Sequence, residues 1–169
     1  MFSIIAAVSK TNGIGKKGHI PWNEPIDMKY FKQITSTVSD NNKQNAIIMG
    51  RITYESLKGR NLPNRRNIVI SSQCNNHIDW CSSLQSAIDL LVCDKNIDKI
   101  FVIGGGKLYE ESINHSNCVE LYINRIDTHV ECDVFFPVID TDRYELCSEL
   151  ELSPNVTALH YRNRYFKLG

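Results

Sequence analysis

The 169-residue sequence predicts one three-layer α/β domain over residues 1–169, with a central, mostly parallel sheet, helices on both faces and an antiparallel hairpin at the C-terminal end. Three observations predict it. Strand-like and helix-like segments alternate from Phe2 to about Tyr109, only strand-like segments follow Val119, and no repeat, low-complexity tract or linker divides the chain.

The elements follow in order. Phe2 to Val8 (FSIIAAV) is a continuous apolar run of strand length, and a long Gly-rich loop carries the chain on to Asn23. Pro25 sits where a helix tolerates proline, and the helix is expected to run to about Thr37. Asn45 to Met49 is the second strand, Arg51 to Leu57 a helix of one to two turns, and Asn67 to Ser71 the third strand. Ser83 is placed to cap a helix carrying Leu84, Ile88 and Leu91 on one face. Lys99 to Ile103 is another strand, and Gly104-Gly105-Gly106 leads into a short helix around Tyr109. VELYINRI from Val119, RYELCSEL and TALHYRNRYFK complete the sheet.

Composition narrows the function. Lys plus Arg and Asp plus Glu each number 19, so no charge excess points to nucleic acid or an anionic membrane. Apolar stretches such as Ile4 to Val8 are too short to span a bilayer, and Met1 leads straight into a strand with no leader pattern. A cytoplasmic chain acting as a monomer on a small molecule is expected. Cys74, Cys81, Cys93, Cys118, Cys132 and Cys147 show no C-x-x-C spacing, and no histidine (His19 and His77 among them) has a ligand-spaced partner. Free thiols and no metal site are expected.

Gly13-Ile14-Gly15-Lys16-Lys17-Gly18 matches the dinucleotide fingerprint letter for letter but not in context. Four residues separate Val8 from Gly13, and Pro21 follows where a helix should run. A mobile loop covering a site is the better reading.

Asp27 carries the most information. On a helix, Ile26, Met28, Tyr30, Phe31 and Ile34 form one apolar face, with Lys29, Lys32 and Gln33 opposite; Asp27 projects into the apolar stripe. One reading is first-turn helix chemistry, where acids suit the dipole. The other is a poorly solvated carboxylate suited to a cationic or two-donor ligand edge, with a pKa tuned for proton chemistry. Two turns are built for anions: MGRIT places Arg51 and Thr53 after Gly50, and IGGGK places Lys107 after three glycines. Ser71-Ser72 supplies nearby hydroxyls, and Arg65, after Leu62-Pro63-Asn64, is the side chain suited to grip a carboxylate.

Together IIAAVSKTNGIGKKGHIPWN, Pro25 to Phe31, AIIMGRITYESL, LPNRRNIVISS, FVIGGGKLY and LYINRIDTHVECDVFFP resemble the dihydrofolate reductase family along nearly the entire chain. The resemblance implies reduction of 7,8-dihydrofolate to tetrahydrofolate by hydride transfer from NADPH. Asp27 is implied as the carboxylate that binds the aminopyrimidine edge and promotes protonation of N5, with Trp22 holding a water and Asn124 beside the carboxylate. Ile5, Ala6, Met28, Phe31, Leu57, Leu62, Ile103 and Tyr109 are implied as pocket walls and Arg65 as the grip on the glutamate tail. Ala7, Ile14, Gly15, Ile20, Gly50, Arg51, Thr53, Ser71, Ser72, Gly104, Gly105, Gly106, Lys107 and Leu108 are implied as NADPH contacts, with a cis peptide at Gly104-Gly105. A fused thymidylate synthase is not expected within these residues. Three positions depart from the family pattern: Asn124 for a usual Thr, Cys132 for a common Gly, and Asn64 for a usual Gly, where asparagine tolerates positive φ. Two rivals are a reductase of the same fold acting on a riboflavin-pathway pyrimidine and a non-catalytic NADPH- or folate-binding homologue; Asp27 and Arg65 favour a folate.

Overall fold

The computed structural model describes residues 1–73 and 79–166. Cys74, His77 and the last residue of the expected final strand, Lys167, lie outside them. In chain order the elements are β1 (Phe2–Ser9), β2 (Gly13–Gly15), α1 (Pro25–Ser36), β3 (Gln44–Gly50), α2 (Arg51–Ser56), β4 (Arg65–Ile70) and β5 (Trp80–Cys81). Then come α3 (Leu84–Val92), β6 (Ile97–Val102), α4 (Gly106–Ile113), β7 (Cys118–Ile126), β8 (Val134–Phe135), β9 (Tyr144–Ser153) and β10 (Val156–Asn163).

Eight strands form one sheet in the order β5-β4-β3-β6-β1-β7-β10-β9. The pairs from β5 to β7 are parallel, whereas β10 runs antiparallel to both β7 and β9. This is the predicted mostly parallel sheet with its C-terminal hairpin. The parallel strands are covered on both sides, which is why Ala46-Ile47-Ile48-Met49 reads as an unbroken apolar run and is fully buried.

Strand alternation sorts the side chains into two layers. Phe2, Ile4, Ala6 and Val8 join Leu84, Ile88 and Leu91 of α3 and Leu108, Tyr109 and Ile113 of α4. Ile5, Ile47, Met49 and Phe101 take the opposite side, under Phe31 and Ile34 of α1 and Tyr54 of α2. Ser83 caps α3 as expected, its hydroxyl accepting from the Ser86 N–H at 3.1 Å. Pro25 occupies the first turn of α1. No helix among the described residues is long and apolar enough to cross a membrane. The five described cysteines are unpaired.

The structure adds to the sequence reading in three places. Trp80–Cys81 is a two-residue edge strand too short to show a periodicity. The final strand ends at Asn163, where a turn begins. The Gly-rich loop is also more ordered than expected. Its residues Gly13 and Gly15 pair with Phe135 and Val134, and glycines carry no side-chain pattern that would announce a strand.

That pairing fastens the loop to the segment before β8. The Lys16 ammonium reaches the Glu131 carboxylate at 2.6 Å, and the Lys17 N–H donates to Asp133 Oδ2 at 3.0 Å. Cys132 packs directly on Gly13, where an added Cβ would stand 2.5 Å from the Cys132 Cβ. Ile14 and Val134 lie against Gly106, so the loop rests on the start of α4. Gly13→Ala should therefore speed amide hydrogen exchange across residues 11–17 and 131–136, and adding Cys132→Gly should restore protection. Unchanged exchange in Gly13→Ala would show that this contact does not hold the loop.

Candidate active site

The parallel strands β1, β3, β6 and β7 end on one edge of the sheet, where open α/β sheets bind ligands. The turn from β3 into α2 and the turn from β6 into α4 meet there. The Gly50 N–H donates to Gly104 O at 2.8 Å, and a Cβ on Gly105 would stand 3.4 Å from Thr53 Oγ1. The Gly104-Gly105 peptide is cis, as the resemblance implies, and Gly104 has φ 120° with the Tyr109 ring pressed against it.

Asp27 is 8% exposed and faces the sheet from the first turn of α1. The inward ridge of this helix is buried Asp27, half-buried Phe31 and buried Thr35, spaced by four residues, so the carboxylate does lie on the helix's inward face. It caps nothing. Its Oδ1 accepts from Asn124 Nδ2 of β7 at 2.8 Å, and burial pushes its pKa up, with Asn124 opposing and Glu24 adding to the rise. Asn124 is 4% exposed, and its own Oδ1 has no partner among the described residues; neither has the buried Trp22 Nε1.

The half-buried Phe31, Leu57, Leu62 and Ile103, together with buried Ile5, pack on the α1 side of the sheet around Asp27's face. Three expected wall residues sit differently. Met28 is 56% exposed, one position round the helix from the buried ridge. Ala6 points to the opposite layer, because Ile5 and Ala7 take the site's side of β1. Tyr109 is buried on the α4 side, where its hydroxyl donates to Ile5 O at 2.8 Å and holds that strand from behind.

Arg65 is 8% exposed, at the start of β4. Its Nε donates to Pro63 O and its Nη1 to Thr35 Oγ1, and burial lowers its pKa. Sequence reasoning passed over the groups that fix it. Asn67 accepts from the Leu62 N–H and donates to the carbonyls of Leu62 and Arg65, closing the turn in which Asn64 takes φ 61°. Asn45 donates to Thr35 O and Thr37 O. A buried asparagine in a strand pattern is the signal that could have found both, since such a group must have partners.

The anion-suited residues lie along the same edge. Arg51 is exposed and bonded to Glu55 at 2.8 Å, one helical turn on; Lys107 is exposed at the start of α4. Ser71 accepts from the Gln73 N–H, with Ser72 exposed beside it. Leu108 is buried beneath the glycine turn, and Ile14, Gly15 and the largely exposed Ile20 belong to the covering loop.

Residues 1–166 match the family profile described as dihydrofolate reductase. The chain belongs to the dihydrofolate reductase family. A dihydrofolate reductase of Drosophila melanogaster is 35% identical over 89% of this chain and 87% of its own length. The mosquito Aedes albopictus has one 36% identical over 83% and 81%. A bifunctional dihydrofolate reductase-thymidylate synthase of Arabidopsis thaliana is 40% identical over 91% of this chain, which spans only 29% of that longer protein.

Within that family's fold, the raised pKa of Asp27 has a cost that can be measured. Folding favours the protonated acid, so Asp27 penalises stability once pH exceeds the ordinary carboxylate range, fully so above its folded pKa. A carboxamide in its place would keep an oxygen for Asn124 and carry no charge. Asp27→Asn should raise Tm at pH 7, because the charged carboxylate is the form that burial penalises. The gain should vanish towards pH 3, and a Tm that falls at pH 7 would contradict the buried-charge account.

Proposed function

We propose that the protein reduces 7,8-dihydrofolate to tetrahydrofolate with NADPH as reductant. The observation that carries this is the buried Asp27 carboxylate, one oxygen held by Asn124 and the other left for a ligand, on a face lined by Ile5, Phe31, Leu57, Leu62 and Ile103. A dihydropterin matches both properties. Its flat ring suits the apolar walls, and its amino-pyrimidine edge offers adjacent N–H donors to a carboxylate. Burial raises the pKa of Asp27, which favours proton exchange with a bound ligand, and in this reading the carboxyl promotes protonation of N5. NADPH, when bound, would supply a hydride to C6, and with the proton taken up at N5 the C6=N5 double bond becomes a single bond. Closure of the apolar walls excludes water and keeps the reacting atoms aligned.

The residues present fit the cofactor. The paired glycine turns form a cradle without side chains, flanked by Gly50, Thr53, Gly104, Gly105, Gly106, Lys107, Ser71 and Ser72. Ala7, Ile14, Gly15, Ile20 and Leu108 would flank the nicotinamide end. Arg51 and the serines suit the 2′-phosphate, which favours NADPH over NADH. Releasing Arg51 from Glu55 is inexpensive, since an exposed pair is worth about 0–1 kcal/mol. Arg65, oriented by Thr35 and Pro63 O, is proposed to grip the α-carboxylate of the glutamate tail. On this reading residues 1–169 work as one domain and as a monomer.

Mixing the protein with NADPH and dihydrofolate should consume reduced-nicotinamide absorbance. Asp27→Asn should cut turnover by about 10²-fold or more at neutral pH, as loss of a proton-transfer group does, and by less at low pH. A wild-type rate across the pH range would refute the role of Asp27. Arg65→Leu should raise KM for dihydrofolate by about 10–100-fold, the loss of a charge-assisted contact, and leave a tail-less dihydropterin unaffected. Equal losses for both substrates would remove Arg65 from the tail site.

A further inference from the structure

The loop between α2 and β4 is held at its start by one residue. The last turn of α2 closes as a Schellman motif: the Lys58 N–H donates to Glu55 O at 2.8 Å and the Gly59 N–H to Tyr54 O at 3.2 Å. Tyr54 then holds Gly59 a second time, since its hydroxyl donates to Gly59 O at 2.7 Å. Both polar groups of the Gly59 backbone are thus taken by Tyr54. The Tyr54 ring is half-buried on the apolar layer that includes Met49 and Val69, so the hydroxyl reaches the loop from a fixed base on the sheet.

The turn needs that hold. Lys58 has φ 59° and Gly59 φ 63°, and Lys58 stands where this motif usually has glycine, because a Cβ is strained in the left-handed region. Among the described residues, the Tyr54 hydroxyl is the only side-chain donor to the backbone of residues 57–61. At the far end Asn67 brackets Leu62, accepting from its N–H and donating to its carbonyl. The loop is pinned at Gly59 and at Leu62, with Arg60 and Asn61 exposed between the pins. Leu57 and Leu62 are the half-buried side chains that it carries on the α1 side, and the chain leads from Leu62 through Pro63 and Asn64 to Arg65.

We infer that Tyr54 is a positioning residue for the tail half of the substrate, its hydroxyl fixing the loop that sets Leu57 and Leu62 between the ring end at Asp27 and the grip at Arg65. This deepens the proposed folate reading and rests on it. A folate joins its pterin to its glutamate through a flat aryl group, and these two leucines are the loop's apolar walls for that stretch. Without the hydroxyl, Gly59 is free to shift and the leucines shift with it. The ring end is built on α1, β1 and β7 and does not depend on this turn.

The test compares dihydrofolate with a tail-less dihydropterin in Tyr54→Phe, which removes the hydroxyl and keeps the ring. KM for dihydrofolate should rise by about 3-fold, as for loss of one neutral hydrogen bond, with a smaller change in kcat. KM for the tail-less substrate should stay at the wild-type value, and amide hydrogen exchange should quicken across residues 58–62. Adding Lys58→Gly, which lets the turn adopt its positive φ without strain, should recover part of the lost KM and of the protection. An unchanged KM for dihydrofolate, an equal rise for both substrates, or unchanged exchange across the loop overturns the role of Tyr54 alone. A wild-type protein that turns over no dihydrofolate overturns this inference together with the folate reading.

Discussion

The site depends on one hydrogen bond across the layers, from Asn124 on the sheet to Asp27 on the first helix. It joins residues 97 positions apart and is made in a region closed to water. An unpaired carboxylate there would neutralise or drive the helix off the sheet. A single donor is enough to keep the acid in place, while burial still holds its pKa above the ordinary range.

Around that bond, buried polar side chains set geometry that apolar packing leaves free. Thr35 bonds to Phe31 O and receives Arg65, Asn45 ties down the end of the same helix, and Asn67 closes the turn before β4. Each such group left unpaired would cost about 1–3 kcal/mol, so the network specifies one arrangement of α1 against β4. The covering loop is fastened differently. Its partners, Lys16 with Glu131 and Lys17 with Asp133, are exposed, while the close fit at Gly13, Cys132 and Gly106 is steric. Exposed charge pairs are weak, so the steric fit carries more of the fastening.

The sheet was readable because its central strands are uninterrupted apolar runs and its helices carry clear start signals such as Pro25 and Ser83. Asp27 was readable because a carboxylate on an apolar stripe breaks the pattern, and Asn64 because asparagine accepts the positive φ of its turn. The remainder needs three dimensions. Nothing in the order of residues sets Met28 outside the buried ridge or turns Ala6 to the far layer, since a shift of one position reverses a face. Gly13–Gly15 and Trp80–Cys81 are strands only by virtue of their partners. The links from Asn67 to Leu62 and from Thr35 to Arg65 bring together residues whose adjacency has no signature along the chain.

The most direct measurement is the titration of the Asp27 carboxyl itself, followed by carboxyl-carbon NMR and assigned by its absence in Asp27→Asn. A midpoint clearly above that of an exposed aspartate, about 3.9, is the expected result. A midpoint at or below that value would mean that the charged acid is well solvated or firmly paired, and the account of a buried carboxylate poised for a ligand would fall.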